Sequence, residues 1–164
     1  MEELKHSRHC LGGSNFHMQY TPKYRRDVFE KKEVQGIIRM AFEEEASKMG
    51  IRLEVVEFGP DHVHLFVTEC RNVTAAQIAG KLKGYSSWFI RKNYRELIKD
   101  YRMGGSFWTA GYFYESIGRV TAETVRHYIE KQQKKHWMHE VYEAPKNAGG
   151  ASKLRQARLD TFAA

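Results

Sequence analysis

Two short runs of alternating residues surround a tight-turn sequence, and this pairing limits the possible folds more than any other feature of the chain. Residues 51–58 (IRLEVVEF) precede a Gly-Pro-Asp turn at 59–61, and residues 62–67 (HVHLFV) follow it. Side chains on a strand alternate between its two faces, and Gly and Pro mark the turn. The pattern therefore predicts a β-hairpin that presents one aliphatic face to a core.

Two histidines occupy alternate positions in the second run. His62, His64 and Phe66 are expected to share one face of the sheet, and the aliphatic residues between them to share the other. We expect the histidine face to be the open one. Two neutral imidazoles placed close together are a natural pair of metal ligands. From the strand pattern alone, a pair of surface histidines is an equally good interpretation.

Hydrophobic periodicity along the chain predicts an α+β fold. Strands are expected at residues 16–21, 51–58, 62–67 and 107–117, and helices at about 30–49, from Thr74 onward, and at about 121–135. Gly50 is a suitable C-terminal stop for the first helix, and Thr74 with Gln77 forms a capping box for the second. This order indicates a ferredoxin-like antiparallel sheet with two helices on one face, as in RNA-recognition domains, followed by an extra helix.

The domain organisation is simple. We expect a flexible leader over residues 1–13, one domain over 14–140, and a basic tail over 141–164. The two cysteines show no CxxC spacing, which argues against a thiolate zinc site. No apolar run approaches the roughly 20 residues that span a bilayer, and the first ten residues lack the apolar region of a signal peptide. We therefore expect a cytoplasmic protein without membrane contact.

The charge balance favours an anionic partner such as nucleic acid. The formal net charge is +7 and the isoelectric point is about 9.4. Seven cations near the first strand and on the second helix are candidates for phosphate contact, although each fits a solvated surface equally well. They are Lys23, Arg25, Arg26, Lys81, Lys83, Arg91 and Lys92.

Four sequence blocks, in this order, resemble the signatures of the single-tyrosine HUH transposases. These are small transposases of bacterial and archaeal insertion sequences that move as single strands. The blocks are residues 20–26 (YTPKYRR), 59–65 (GPDHVHL), 108–113 (WTAGYF) and 125–132 (VRHYIEKQ). No single block is specific, but the ordered set extends from about residue 15 to residue 133.

This resemblance implies a function and a set of site residues. His62 and His64 match the metal ligands, Gln132 matches the third ligand, and Tyr128 matches the nucleophile on the extra helix. The implied cofactor is a divalent metal, Mg²⁺ or Mn²⁺, and no nucleotide is needed. The implied reaction cleaves single-stranded DNA near subterminal hairpins, leaves a 5′-phosphotyrosine and a free 3′-OH, and rejoins strands. Such transposases resemble one another in being homodimers whose tyrosine helix completes the partner's active site.

Other interpretations stay open. A domesticated relative would act as a hairpin-specific single-strand endonuclease, and a non-catalytic nucleic-acid-binding module would use the same sheet. Tyr112 and Tyr114 are alternative nucleophiles, although a strand rich in aromatic residues is more often core or a stacking surface. His127, His136 and His139 fit surface positions near DNA better than ligand positions.

Overall fold

The computed structural model describes residues 5–6, 11–118, 123–124 and 127. Its strands are β1 Lys5–His6, β2 Leu11–Gly12, β3 Asn15–Tyr20, β4 Arg52–Phe58, β5 Val63–Thr68 and β6 Phe113–Ile117. Its α-helices are α1 Lys32–Met49, α2 Ala75–Asn93 and α3 Arg95–Ile98. Short 3₁₀ turns lie at Lys23–Arg25, Val28–Glu30 and Lys99–Tyr101.

Four strands form one antiparallel sheet in the order β4-β5-β3-β6. The predicted ferredoxin-like arrangement is confirmed, because α1 lies between the central strand β3 and the edge strand β4, α2 lies between the central strand β5 and the edge strand β6, and α1 and α2 pack side by side. The predicted hairpin is β4 and β5, closed at the pair Phe58–Val63. β1 and β2 form a separate antiparallel pair within the stretch predicted as a leader.

The main core lies between the sheet and the two long helices. Buried residues recur every four positions on each helix, and all of them are apolar except Ser86, which gives one buried stripe per helix. On α1 and α2 the large apolar residues of these stripes are Val34, Ile38, Phe42, Ile78, Leu82 and Ile90. They meet the sheet residues Met18, Tyr20, Val63, Leu65 and Val67. The aliphatic face of β5 is therefore the core face, as predicted.

Both predicted helix boundaries are confirmed. Gly50 ends α1 in the left-handed conformation (φ 68°), which glycine adopts without the cost imposed by a β-carbon, and its N–H donates to carbonyls of the last turn. At the start of α2, Thr74 Oγ1 accepts from the Gln77 N–H (3.2 Å), and Gln77 Oε1 accepts from the Thr74 N–H (2.9 Å). This reciprocal pair is the capping box.

A bulge in β4 changes which of its residues face the core. The register shifts between Leu53 and Val55, so Val56 joins the main core while Val55 points to the other side of the sheet. There Val55 packs with Phe66 and Ile117 in a second small cluster. Strict alternation predicted Val55 on the same side as Leu53, and the extra residue of the bulge is the reason for the difference.

The predicted fourth strand is shorter than expected. Instead of extending β6, Phe107 and Trp108 are buried in the main core. The Trp108 indole N–H donates to Ser86 Oγ (2.9 Å), and Ser87 Oγ accepts from the Phe107 N–H (3.1 Å). The backbone of this segment also pairs with the residues after β3, since the Phe107 carbonyl accepts from the Lys23 N–H (2.9 Å) and the Thr109 N–H donates to the Thr21 carbonyl (3.0 Å).

The predicted tyrosine helix is described at only three positions. Glu123, Thr124 and His127 have helical backbone, and Tyr128, Gln132 and the predicted tail lie outside the described residues. Throughout the described part of the chain, the longest helices are too polar to cross a bilayer.

Candidate active site

The β4–β5 turn brings His62 and His64 together. The Gly59 N–H donates to the His62 carbonyl (2.9 Å), which closes a tight turn immediately before β5. The two imidazole centroids are 4.9 Å apart and their planes are nearly perpendicular, at 86°. The sequence prediction that these two rings lie close together agrees with this geometry.

Gly59 leaves room for the His62 ring. A β-carbon at position 59 would lie 2.7 Å from His62 Nε2, well inside van der Waals contact. His62 can therefore occupy this position only because residue 59 has no side chain.

Asp61 fixes the orientation of His62. His62 Nδ1 lies 2.7 Å from Asp61 Oδ1, and Arg25 donates from Nε and Nη2 to Asp61 Oδ2, each at 2.9 Å. Burial alone would raise the pKa of the Asp61 carboxyl, but the hydrogen bonds from His62 and Arg25, with the charge of Arg25, lower it to about 2. Since a carboxylate only accepts, His62 Nδ1 carries a proton, and in the neutral form of the ring Nε2 keeps its lone pair.

His64 is buried, which corrects the expectation of an open histidine face. His64 and Phe66 are both almost completely inaccessible, as is His17 on the neighbouring strand. His64 Nδ1 lies 3.0 Å from His17 Nε2, and the two rings are nearly parallel with centroids 5.2 Å apart. The second face of the sheet is filled by its own large side chains, and for this reason these positions are not exposed.

Burial also sets the charge state of this pair. It lowers the pKa of His17 to about 4, and it lowers the pKa of His64 to about 3, with the neighbouring His62 and His17 adding to the shift. Both rings are therefore neutral at pH 7. The neutral imidazole is the form that binds a metal ion.

The histidine pair fits a divalent cation. Among the described residues, His64 Nε2 is a buried nitrogen without a hydrogen-bond partner. Leaving such a polar atom unsatisfied costs about 1–3 kcal/mol, which a cation in contact with it would offset. The described ranges contain no group of three His, Cys, Asp or Glu side chains that could hold a metal. A third ligand must then come from another residue type or from outside these ranges.

The first cationic segment lies beside the histidines. Lys23–Arg25 forms a 3₁₀ turn in which Tyr24 and Arg25 have left-handed backbone (φ 60° and 49°). Lys23 and Arg26 lie near the exposed Tyr24 ring, at 5.1 and 6.0 Å from its centroid. Non-glycine residues in this conformation are strained, and such strain is typical of functional segments.

The cations predicted on α2 divide into two groups. Lys81 is exposed, and Lys92 lies 4.8 Å from the exposed Trp88 ring. Lys83 Nζ instead donates to the Ala110 and Gly111 carbonyls (3.1 and 2.7 Å), and burial lowers its pKa to about 8. Lys83 therefore holds the segment before β6 against α2 in this structure.

Arg91 lines a cationic cavity that the sequence interpretation did not identify. This cavity, of about 330 Å³, lies where α2, α3 and the following 3₁₀ turn meet. Its basic residues are Arg91, Arg95, Lys99 and Arg102. The sequence interpretation did not consider the last three, although positions 91, 95, 99 and 102 follow one another at helical spacing.

Three residues of the histidine site were also missed. Asp61 and Gly59 were interpreted as turn residues, although the position of Asp61 next to a candidate ligand was a usable signal for an orienting role. His17 was included in a predicted strand without a function. Its contact with His64 depends on the pairing of β3 with β5, which the local sequence does not reveal.

The chain is similar to known transposases. The family model described as "Transposase IS200 like" matches residues 10–132. The chain is 28% identical over 148 residues to the transposase for insertion sequence element IS200 of Salmonella typhimurium, covering 88% of this chain and 93% of the relative. It is 26% identical over 133 residues to the ISDra2 transposase TnpA of Deinococcus radiodurans, covering 81% and 94%.

Two solved structures share the fold. A crystal structure from Deinococcus radiodurans R1, assigned as a transposase, has a TM-score of 0.62 at 24% identity and covers 79% of this chain and 98% of its own. A REP-associated tyrosine transposase bound to a REP hairpin has a TM-score of 0.51 at 13% identity and covers 81% and 74%. The sheet and its two long helices therefore follow an architecture seen in these two solved structures.

Proposed function

The chain belongs to the IS200-like transposase family, and on that premise we propose that it cleaves and rejoins single-stranded DNA through Tyr128. Membership in a transposase family implies an enzyme that cuts DNA and transfers strands. Our proposal has three parts: the tyrosine attacks the DNA, a divalent cation assists the reaction, and the protein recognises hairpin ends.

The observation that supports this chemistry is the geometry of the two histidines. His62 and His64 lie side by side, the neutral His62 ring keeps its Nε2 lone pair because its Nδ1–H donates to Asp61, and His64 Nε2 is buried without a hydrogen bond. With Gln132 as the third ligand, they would hold Mg²⁺ or Mn²⁺, which would offset the negative charge of the scissile phosphate. Two imidazoles make Mn²⁺ the better match.

The cleavage step exchanges one phosphoester bond for another. Tyr128 Oη loses its proton and attacks the phosphorus, and the bond from phosphorus to the 3′ oxygen breaks. The 3′ oxygen takes up a proton and leaves as a free 3′-OH, while the 5′ phosphate stays on the tyrosine. A second 3′-OH reverses the step and releases Tyr128. Because the number of phosphoester bonds is conserved, no nucleotide cofactor is required.

The proposed substrate is single-stranded DNA with subterminal hairpins. Support comes from the net charge of +7, from the exposed cations around Tyr24 and on α2, and from the relative that was solved with a REP hairpin. An exposed ring flanked by cations suits unpaired bases, because the ring stacks a base while the cations contact phosphate. We assign this role to Lys23, Arg25, Arg26, Lys81, Arg91 and Lys92.

We further propose that the enzyme is a homodimer in which the tyrosine helix of one subunit completes the site of its partner. The support is the family resemblance, since Tyr128 and Gln132 themselves lie outside the described residues. Gly118, at the end of β6, would be the point at which the chain leaves the sheet for this exchange.

Covalent capture of labelled DNA tests the proposed function. Wild-type protein incubated with Mn²⁺ and labelled single-stranded hairpin DNA should give a protein–DNA adduct that stays intact when detergent denatures the protein. Tyr128→Phe should abolish this adduct and retain hairpin binding. Tyr114→Phe is the matched control, because Tyr114 is an exposed tyrosine on β6. An adduct that survives in Tyr128→Phe and disappears in Tyr114→Phe would move the nucleophile to β6.

A further inference from the structure

We propose that His17 is a positioning residue that holds His64 in the tautomer able to bind a cation. This inference rests on the metal site of the proposed function and assigns a role to a buried histidine that lies on a different strand. His17 does not contact the cation itself. It acts through the hydrogen bond between its Nε2 and His64 Nδ1, which are 3.0 Å apart.

The strand register brings the two rings together. In the antiparallel pair β3–β5, His17 lies opposite Phe66 and Gln19 lies opposite His64. His17 and His64 are therefore diagonal neighbours on the same face of two central strands, within reach of long side chains. A shift of one residue in this register would move His17 to the helix side of the sheet and break the contact.

The hydrogen bond has one direction that is compatible with metal binding. A neutral imidazole has one N–H donor and one acceptor nitrogen, and a ligating imidazole keeps its proton on the nitrogen that faces away from the metal. If His64 Nε2 binds the cation, the proton of His64 is on Nδ1. That proton is donated to His17 Nε2, so His17 selects the ligating tautomer by acting as an acceptor.

Packing holds His17 in this position. Its ring is buried, lies nearly parallel to that of His64 at 5.2 Å, and meets the Phe113 ring edge-on at 5.8 Å. A side chain locked in this way presents its acceptor without further loss of rotamer freedom. The orientation of the His64 ring is therefore set before any cation arrives.

The two ligands use different partners for a physical reason. His62 is partly exposed and is held by the Asp61 carboxylate, whose charge is compensated by Arg25. His64 is fully buried, and a carboxylate beside it would have to be desolvated without a cation at hand. A neutral imidazole supplies the same acceptor without burying a charge. The choice of histidine at position 17 fits the burial of its partner.

Two substitutions at position 17 distinguish the role of the acceptor nitrogen from the packing role of the ring. His17→Phe keeps an aromatic ring for packing and removes the acceptor, whereas His17→Gln offers an amide oxygen near the position of Nε2. Met18→Leu is the matched control, because Met18 is the next residue on β3, is equally buried and faces the helices. Thermal unfolding of each variant checks that differences in metal binding do not come from loss of the fold.

Calorimetric titration with Mn²⁺ alone gives the first test. Loss of a partner that orients a ligand typically weakens metal binding about 10–100-fold, and we expect this loss in His17→Phe. His17→Gln should recover most of the affinity, and Met18→Leu should bind like wild type. If His64→Ala binds Mn²⁺ weakly while a folded His17→Phe protein binds Mn²⁺ as tightly as wild type does, the proposal is overturned. Equal Mn²⁺ binding by wild type and His64→Ala overturns the metal site of the proposed function, and the His17 proposal with it.

Nitrogen-15 NMR of the metal-free wild-type protein gives a second test that needs no variant. Long-range proton–nitrogen correlations identify which nitrogen of His64 carries the proton. We expect the proton on Nδ1 in wild type and in His17→Gln, and on Nε2 in a folded His17→Phe protein. A wild-type spectrum with the His64 proton on Nε2 overturns the proposal whatever the variants do.

Discussion

The His62 ring lies so close to the backbone of Gly59 that a β-carbon at position 59 would be 2.3 Å from His62 Cε1. No real β-carbon approaches another carbon this closely, so the ring and any side chain at position 59 exclude each other. The turn sequence therefore determines where the first histidine of the pair can point. Gly59 has a direct influence on the site although it carries no chemical group.

Gly59→Ala should displace His62 and weaken Mn²⁺ binding. Because the clash involves all three of the nearest ring atoms, we expect a loss of at least about tenfold in affinity and in DNA cleavage, comparable to losing an orienting partner. Calorimetry and cleavage of labelled single strands measure the two effects. Gly36→Ala is the control, since nothing lies within 4 Å of a β-carbon there and alanine favours helix α1. Unchanged Mn²⁺ binding by Gly59→Ala would show that the His62 position is not critical.

The Asp61 carboxylate should matter through His62. Asp61→Ala removes the acceptor at 2.7 Å from His62 Nδ1 and should lower Mn²⁺ affinity about 10–100-fold. The Mn²⁺ affinity of Asp61→Asn should fall between those of this variant and wild type, because the amide oxygen can still accept the hydrogen bond from His62 Nδ1–H. Glu44→Gln, which changes an exposed carboxylate paired with Lys48, is the control. Asp61→Ala protein that binds Mn²⁺ as wild type does would contradict this role.

The buried histidines should make the metal-free protein sensitive to mild acid. The pKa of His17 is lowered to about 4 and that of His64 to about 3, whereas the unfolded chain takes up protons at the usual histidine pKa of 6.5. The unfolded state therefore binds more protons as pH falls below 6.5, and the free energy of unfolding decreases. Each buried imidazole should contribute a decrease of about 2 kcal/mol between pH 7 and pH 5.

Urea unfolding at both pH values, with EDTA present, measures this decrease. His17→Phe should show a drop that is smaller by the contribution of one histidine, whereas Met18→Leu should behave like wild type. An identical drop in wild type and His17→Phe would mean that His17 is not held neutral by the fold.

Local patterns in the sequence were sufficient for much of the architecture. The alternation around residues 51–67 predicted the hairpin and the pairing of His62 with His64, and the caps at Gly50 and Thr74 marked helix ends that the structure has. These features depend on neighbours within a few residues. For that reason they can be predicted from the sequence without knowledge of the fold.

The features that could not be predicted depend on contacts between distant segments. The β4 bulge moves Val55 to the second face, where it helps to bury Phe66, and the pairing of β3 with β5 places His17 beside His64. Trp108 lies outside β6, donates its indole N–H to Ser86 on α2 and forms a backbone bridge with Pro22. The assignment of Tyr128 and Gln132 came from family resemblance, and both stay predictions because they lie outside the described residues.

Subunit mixing tests the shared active site. Tyr128→Phe and His64→Ala should each be inactive alone, but their heterodimer contains one site with an intact tyrosine and intact ligands if the helix is exchanged between subunits. We expect restored cleavage after co-expression and purification of the mixed dimer. Mixing His62→Ala with His64→Ala is the control, because every site then lacks a ligand. No restored activity in a verified Tyr128→Phe/His64→Ala dimer would mean that each chain completes its own site.

The most direct test of the account is the metal dependence of the covalent adduct. Wild-type protein, stripped with EDTA and incubated with labelled single-stranded hairpin DNA, should form no Tyr128–DNA adduct. Adding Mn²⁺ should restore the adduct in wild type and not in His64→Ala. Full adduct yield in EDTA, or from His64→Ala, would contradict the claim that the histidine pair holds the cation that the tyrosine reaction requires.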